Sequence, residues 1–215
     1  MTKSPLSRRR VLRAGLLSGA GLGLMPASSA QTLAGVTPRQ IEGPFYPNVD
    51  QSDKDADLTR VGDSDMQALG EVVTVTGRVL DDAGQPIANA VVDIWQANAA
   101  GRYAHERDPN AAPLDPNFQG WAIMTTDDTG RYSFKTIRPG AYPAARGWDR
   151  PPHIHFKVAR RGYHEITTQM YFEGEPLNDV DHLLKSLPKP EQSRLIARQK
   201  DEHSAFNFDI VLATV

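Results

Sequence analysis

Short apolar runs, each closed by Gly, Pro, Asp or Asn, fill most of the chain after residue 70. Val73-Thr74-Val75-Thr76-Gly77-Arg78-Val79-Leu80 is rich in β-branched residues and stops at Asp81-Asp82-Ala83-Gly84, which reads as a strand and its turn. The same reading predicts strands over 90–97, 121–126, 131–135, 153–159, 165–172 and 206–212. Asp127-Asp128-Thr129-Gly130 and Pro139-Gly140 supply further turns. Seven or so short strands separated by turns argue for an all-β fold, a single β-sandwich domain over 71–215 with long loops left to carry a site. One helix is predicted over 191–200, where helix formers dominate. Residues 31–70 lack a period and hold Pro38, Gly43, Pro44, Pro47 and several Asp, which suggests an extended N-terminal arm and loops.

Residues 1–30 read differently. Ser7-Arg8-Arg9-Arg10-Val11-Leu12-Arg13 is a basic start, Ala14 to Met25 is apolar, and Ala27-Ser28-Ser29-Ala30 offers small residues for cleavage. The apolar stretch is shorter than the roughly 20 residues a spanning helix needs. The segment resembles a twin-arginine export signal, which implies periplasmic delivery of a mature chain from residue 31. A general secretory signal or an uncleaved anchor is the alternative. No other segment is long and apolar enough to span, so stable membrane insertion of the mature chain is not expected.

Composition narrows the chemistry. The 215 residues carry no cysteine, which excludes disulfides, zinc–thiolate sites, iron–sulfur clusters and cysteine nucleophiles. A formal net charge of −2 without basic runs gives no sign of a nucleic-acid partner. Any metal must be held by His, Asp, Glu or Tyr.

In a strand, alternate side chains share a face. His153 and His155 therefore point one way and Ile154, Phe156 and Val158 the other, towards the core. Two imidazoles about 7 Å apart at Cα can converge on one metal, although such a pair is often a surface coincidence. Oxygen ligands must complete a site. Asp149 would serve a facial triad of two His and a carboxylate, while Tyr103 and Tyr142 offer phenols. Phenols suit a trivalent hard ion, whose charge offsets their ordinary pKa of about 10.

Five pieces then occur in order: Gly101-Arg102-Tyr103, Pro113-Leu114-Asp115-Pro116-Asn117-Phe118, Thr136-Ile137-Arg138-Pro139-Gly140, Arg150-Pro151-Pro152-His153-Ile154-His155-Phe156 and Gln169-Met170-Tyr171-Phe172-Glu173-Gly174. Glu42-Gly43-Pro44-Phe45-Tyr46-Pro47 precedes them and Phe208-Asp209-Ile210-Val211-Leu212 follows. Together they resemble the intradiol ring-cleavage dioxygenases, over nearly all of residues 40–215. The resemblance implies an Fe(3+) ion on Tyr103, Tyr142, His153 and His155, with Tyr142 and His155 axial. It implies that Tyr142 leaves the metal to take a substrate proton, that Arg150 stabilises anionic charge on the ring, and that Gln169 lines the pocket. The implied substrates are a catechol-type small molecule and O2, giving muconate-type diacids.

Plainer readings stand beside these. Tyr103 and Tyr142 suit ordinary loop aromatics, Arg150 a surface ion pair, and Gln169 a cross-strand hydrogen bond. His105, His164, His182 and His203 read as surface or supporting residues, and Trp95, Trp121 and Trp148 as core or pocket wall. Pro44 and Tyr46 suit either packing or a pocket mouth. A non-catalytic, transthyretin-like β-sandwich binding module explains the strands but leaves the two Tyr and two His without a task. A ferrous extradiol enzyme would want a carboxylate in place of the phenols. The chain carries its own ligands and an N-terminal signature, and so admits a homo-oligomer. Ala144 stands where ligand-bearing protocatechuate-type subunits often have an aromatic residue, which leaves the particular catechol open.

Overall fold

The computed structural model describes residues 35–51, 53–201 and 204–215. The leader expected at 1–30, and His203, lie outside the described residues. Eleven strands are formed among those described: β1 (Val72–Asp81), β2 (Val91–Trp95), β3 (Trp121–Thr125), β4 (Arg131–Ile137), β5 (Tyr142–Ala145), β6 (Trp148–Arg150), β7 (His153–Ala159), β8 (Ile166–Phe172), β9 (Ile196–Asp201), β10 (Ala205–Asn207) and β11 (Ile210–Leu212). Two short helices, α1 (His182–Lys185) and α2 (Lys189–Leu195), lie between β8 and β9. The fold is all-β with a mixed sheet, ordered β11-β1-β10-β9-β8-β7-β2-β3, with β4 also on β1 and with β5 and β6 as a separate ribbon.

Alternation explains the core. Val73, Val75 and Val79 are the buried apolar positions of β1. They share one cluster with Tyr132 and Phe134 of β4, Val92 and Ile94 of β2, and Ile154, Phe156 and Val158 of β7. The opposite face of β7 is buried too: His153 and His155 are only 2% and 3% exposed. One strand thus faces the core with one set of side chains and the site with the other.

Three expectations are corrected. The helix expected at 191–200 ends at Leu195, and residues 196–201 form β9. Ile196 and Ala197 pair with Tyr171 and Phe172 of β8, so tertiary pairing overrides the helix preference of Arg198, Gln199 and Lys200. The single strand expected at 206–212 is broken at Phe208-Asp209 into β10 and β11, which pair in parallel with β1. At the break the Tyr132 hydroxyl donates to the Phe208 carbonyl, and Asp209 Oδ1 accepts from the Arg78 amide at 2.9 Å. A Cβ at Gly77 would lie 1.9 Å from that carbonyl, so only glycine admits the crossing. The strand expected at 90–97 is shorter, Val91–Trp95. The β5–β6 ribbon and α1 were not foreseen.

Residues 35–51 form neither strand nor helix. Thr37 donates its amide to Val211 O at 3.1 Å, and Gln40 donates to Thr167 O at 2.9 Å. The Thr168 hydroxyl donates to Pro38 O at 2.7 Å. The segment is thereby fastened along β8 and β11 and leads into Glu42-Gly43-Pro44-Phe45 beside the site.

Candidate metal centre

Strand register sets the site. Across β2, β7 and β8 the pairs Trp95–His155 and His155–Gln169 form one row, and His153 pairs with Tyr171. The His155 ring stacks on Trp95, with centroids 4.8 Å apart and planes at 10°. The two His rings stand edge to face at 4.9 Å. His153 Nδ1 lies 2.6 Å from Pro151 O. A carbonyl can only accept, so Nδ1 carries the proton and the Nε2 lone pair is presented outward.

That lone pair faces two phenols. Tyr103 Oη is 3.4 Å from His153 Nε2, and Tyr142 Oη is 3.5 Å from it. Both exceed the usual hydrogen-bond distance. Tyr103 comes from the loop after β2 and Tyr142 from β5, and two glycines let these segments touch. A Cβ on Gly101, whose φ is +77°, would lie 2.3 Å from Ala141 O, and one on Gly140 would lie 2.4 Å from Ala99 O. The structure therefore brings together all four residues singled out as ligands.

Burial sets the proton states. It pushes the Tyr103 phenol well above the usual tyrosine range, with Tyr142 adding to the effect. Burial also raises Tyr142, against the opposing charge of Arg150. His153 is held well below the usual imidazole range by burial, Arg150 and His155. His155 is pushed down to about 3 by burial and Arg150. Both imidazoles are neutral and ready to donate lone pairs. Both phenols stay protonated unless a strong positive charge replaces their protons.

Arg150, expected beside the ring or on the surface, is 4% exposed. Its Nε donates to Asp181 Oδ1 at 2.9 Å. Its Nη2 donates to Gln169 Oε1 at 2.6 Å and to Tyr171 Oη at 3.1 Å. Gln169 in turn donates to Ile41 O at 2.8 Å, so it both touches Arg150 and ties down the entering segment. Asp181 and Tyr171 were missed as site residues. Asp181 is wholly buried, accepts from the Leu184 amide as the cap of α1, and receives Trp148 Nε1 at 3.2 Å. A helix cap was legible in Asp181-His182-Leu183-Leu184; its partner Arg150 was not.

A cavity of about 320 Å³ opens at the site. Its walls include Ile41, Pro44, Phe45, Tyr142, Ala144 and Trp148, and Arg150 and His155 reach it. Pro44 thus lines the cavity. Tyr46 sits behind it and donates to Asp93 Oδ2 at 2.7 Å, an aspartate that also receives Trp121 Nε1 at 2.7 Å. Asp149, the carboxylate considered for a facial triad, is exposed. His105 lies against Phe45, His182 stacks on Trp148 and His164 lines a separate groove, so none joins the four candidate ligands.

Donor chemistry supports a hard trivalent ion. Two phenols and two neutral imidazoles converge, and among the described residues no three His, Asp or Glu side chains cluster as a metal site. His155 Nδ1 is buried without a hydrogen-bond partner among the described residues. Ferric iron fits this set through the phenols and the imidazoles together.

The Dioxygenase family model matches residues 41–214, nearly the whole described chain. The chain belongs to the intradiol ring-cleavage dioxygenases, a family of oxidoreductases. It is 45% identical over 179 residues to the protocatechuate 3,4-dioxygenase beta chain of Burkholderia cepacia, covering 79% of this chain and 76% of that one. It is 34% identical over 184 residues to catechol 1,2-dioxygenase 2 of Acinetobacter lwoffii, covering 75% of this chain and 63% of that one. Among solved structures, 3-chlorocatechol 1,2-dioxygenase of Rhodococcus opacus 1CP superposes with a TM-score of 0.66 at 28% identity, covering 83% of this chain and 73% of that one. The intradiol dioxygenase thus spans about three quarters of the protocatechuate relative, but less than two thirds of the catechol relative.

Proposed function

We propose that this dioxygenase, on a β-sandwich scaffold, uses ferric iron and O2 to open catechol-type rings between their two hydroxyl-bearing carbons, giving muconate-type diacids. The observation that carries the reading is the convergence of Tyr103 and Tyr142 on the free Nε2 of His153. The packing of β1 and β4 against β2 and β7 in one apolar cluster supports the sandwich.

Tyr103, Tyr142, His153 and His155 would hold the iron. When bound, ferric iron would stabilise the phenolates and a deprotonated catechol, and would draw electron density from the ring so that it becomes reactive towards O2.

The chain's own groups have distinct tasks. Pro151 O fixes the tautomer and angle of His153, and Trp95 fixes the ring of His155 by stacking. Tyr142, at the cavity wall, is placed to take a proton from an incoming catechol hydroxyl. Arg150 presents a buried positive charge where the ring becomes anionic. Asp181, Gln169 and Tyr171 hold the guanidinium in advance, so little reorganisation is needed when that charge develops. The apolar walls exclude water and strengthen these interactions.

A visible absorption spectrum of the purified protein, before and after anaerobic catechol, tests the reading. A phenolate-to-iron band that shifts with catechol is expected. A protein that stays colourless after ferric reconstitution would return the chain to the binding-module reading. We also propose that residues 1–30 direct twin-arginine export to the periplasm. Replacing Arg8, Arg9 and Arg10 by Lys should retain the protein in the cytoplasmic fraction, and unchanged periplasmic recovery would refute this.

A further inference from the structure

We infer that the stack of His182 on Trp148 sets how far the cavity opens, and so which size of catechol it admits. His182 is then a specificity-determining residue that acts through Trp148 from outside the cavity. The inference rests on the proposed ring-cleaving reading and deepens it.

Two elements outside the main sheet line the cavity. The β5–β6 ribbon supplies Tyr142, Pro143, Ala144, Trp148 and Arg150, and α1 supplies Leu183. The ribbon pairs with no other strand among the described residues. It enters β7 through Pro151 and Pro152 alone. Sheet hydrogen bonds therefore do not fix its distance from α1, and side chains must.

Those side chains meet at Asp181 and His182. Asp181 Oδ1 accepts from Arg150 Nε at 2.9 Å and from Trp148 Nε1 at 3.2 Å. His182 lays its ring on Trp148, with centroids 4.7 Å apart and planes at 15°, within the range of favourable aromatic pairs. Trp148 lines the cavity, whereas His182 is exposed and does not.

The two attachments hold different things. Arg150 is gripped by Asp181, Gln169 and Tyr171 whatever the indole does. Trp148 has one hydrogen bond, at the long end of the usual range, and the flat contact with His182. Without the His182 ring, one face of Trp148 loses its support. The indole is then free to swing, and the ribbon can part from α1. The cavity widens while the four candidate ligands and the guanidinium keep their places. Size selection should suffer, and the chemistry should not.

Catechols that differ only in bulk test this. The kcat/KM of the iron-loaded enzyme is measured for catechol, 4-methylcatechol and 4-tert-butylcatechol in the wild type, His182→Ala and His182→Phe. A ratio taken within one protein is independent of the amount folded. His182→Ala should raise the tert-butyl-to-catechol ratio by about two- to tenfold, the range that an aromatic pair can supply, with 4-methylcatechol shifted less. Iron content and the visible band should stay as in the wild type. His182→Phe keeps a flat ring and should restore the wild-type ratio. Should His182→Ala fail to fold, His182→Gln, which fills the space without a ring, takes its place. An unchanged ratio in the ringless variant overturns the inference. So does a ringless variant that loses its iron, since the residue would then support the whole centre. A His182→Phe ratio that follows the ringless variant overturns it too, because stacking would not be the cause. If the wild type opens no catechol, the ring-cleavage reading itself falls, and this inference with it.

Discussion

Arg150 and Asp181 form an ion pair in which both side chains are nearly inaccessible, 5% and 0% exposed, with Nε and Oδ1 2.9 Å apart. Removing one partner leaves the other charged and buried, which costs about 3–5 kcal/mol. Asp181→Ala should therefore lose stability on that scale in denaturant titration, and should lose activity because Arg150 is no longer held at the cavity. Asp181→Asn keeps an acceptor for the helix cap and should fall between the two. A fully stable Asp181→Ala would contradict the coupling between cap and site.

His153→Ala should abolish most iron binding, because Nε2 is the atom on which both phenols converge. Tyr142→Phe should keep part of the iron but lose the proton acceptor, so its turnover should drop more than its metal content. Elemental analysis beside steady-state kinetics separates the two effects. Full iron occupancy in His153→Ala would refute the ligand assignment.

Gly101→Ala places a Cβ 2.3 Å from Ala141 O at a residue with φ of +77°. The backbone strain alone is about 1–3 kcal/mol, and relief of the clash must part the Tyr103 and Tyr142 segments. Lower thermal stability together with weaker iron retention is expected. A variant that melts earlier yet keeps its iron band unchanged would show that the close approach serves packing only.

Tyr46→Phe removes the hydroxyl that donates to Asp93 at 2.7 Å, a hydrogen bond to a charged group worth about 2 kcal/mol. Tyr46 carries the end of the Gly43-Pro44-Phe45 wall, so the loss should raise KM for a catechol more than it lowers kcat. An unchanged KM with lowered stability would confine Tyr46 to packing.

Stripping iron should lower the melting temperature. A ligand present at about a hundred times its dissociation constant adds about 2.7 kcal/mol, which for a chain of this size corresponds to roughly 5–10 °C. Calorimetry before and after chelation, with ferric salt added back, checks this. A melting point indifferent to iron would mean that the four side chains are organised without it.

Strand β7 was legible because its two faces obey a period of two and because His153 and His155 share a parity. Tyr103 and Tyr142 stood in the sequence only as candidate donors beside Asp149, and the resemblance chose them, since neither lies in a periodic element that would aim it. The β5–β6 ribbon was invisible because Tyr142-Pro143-Ala144-Ala145 is largely exposed and does not alternate. Ile196–Asp201 carries helix-forming side chains, and only its pairing with β8 and β10 makes it a strand. Asp181 escaped notice because its partner is 31 residues away, a separation that no local pattern encodes.

Placing the proposed ligands and the core on opposite faces of β7 has a mutational consequence. A single-residue insertion or deletion within His153–Ala159 would exchange the faces of every residue beyond it. An imidazole would be driven among Val75, Phe134 and Phe156, while an aliphatic side chain took its place beside the phenols. Substitutions can degrade the chemistry gradually, but a shift of frame along this strand would remove catalysis and folding in one event. Length variation in descendants of this chain should therefore collect in the loops and stay out of β7.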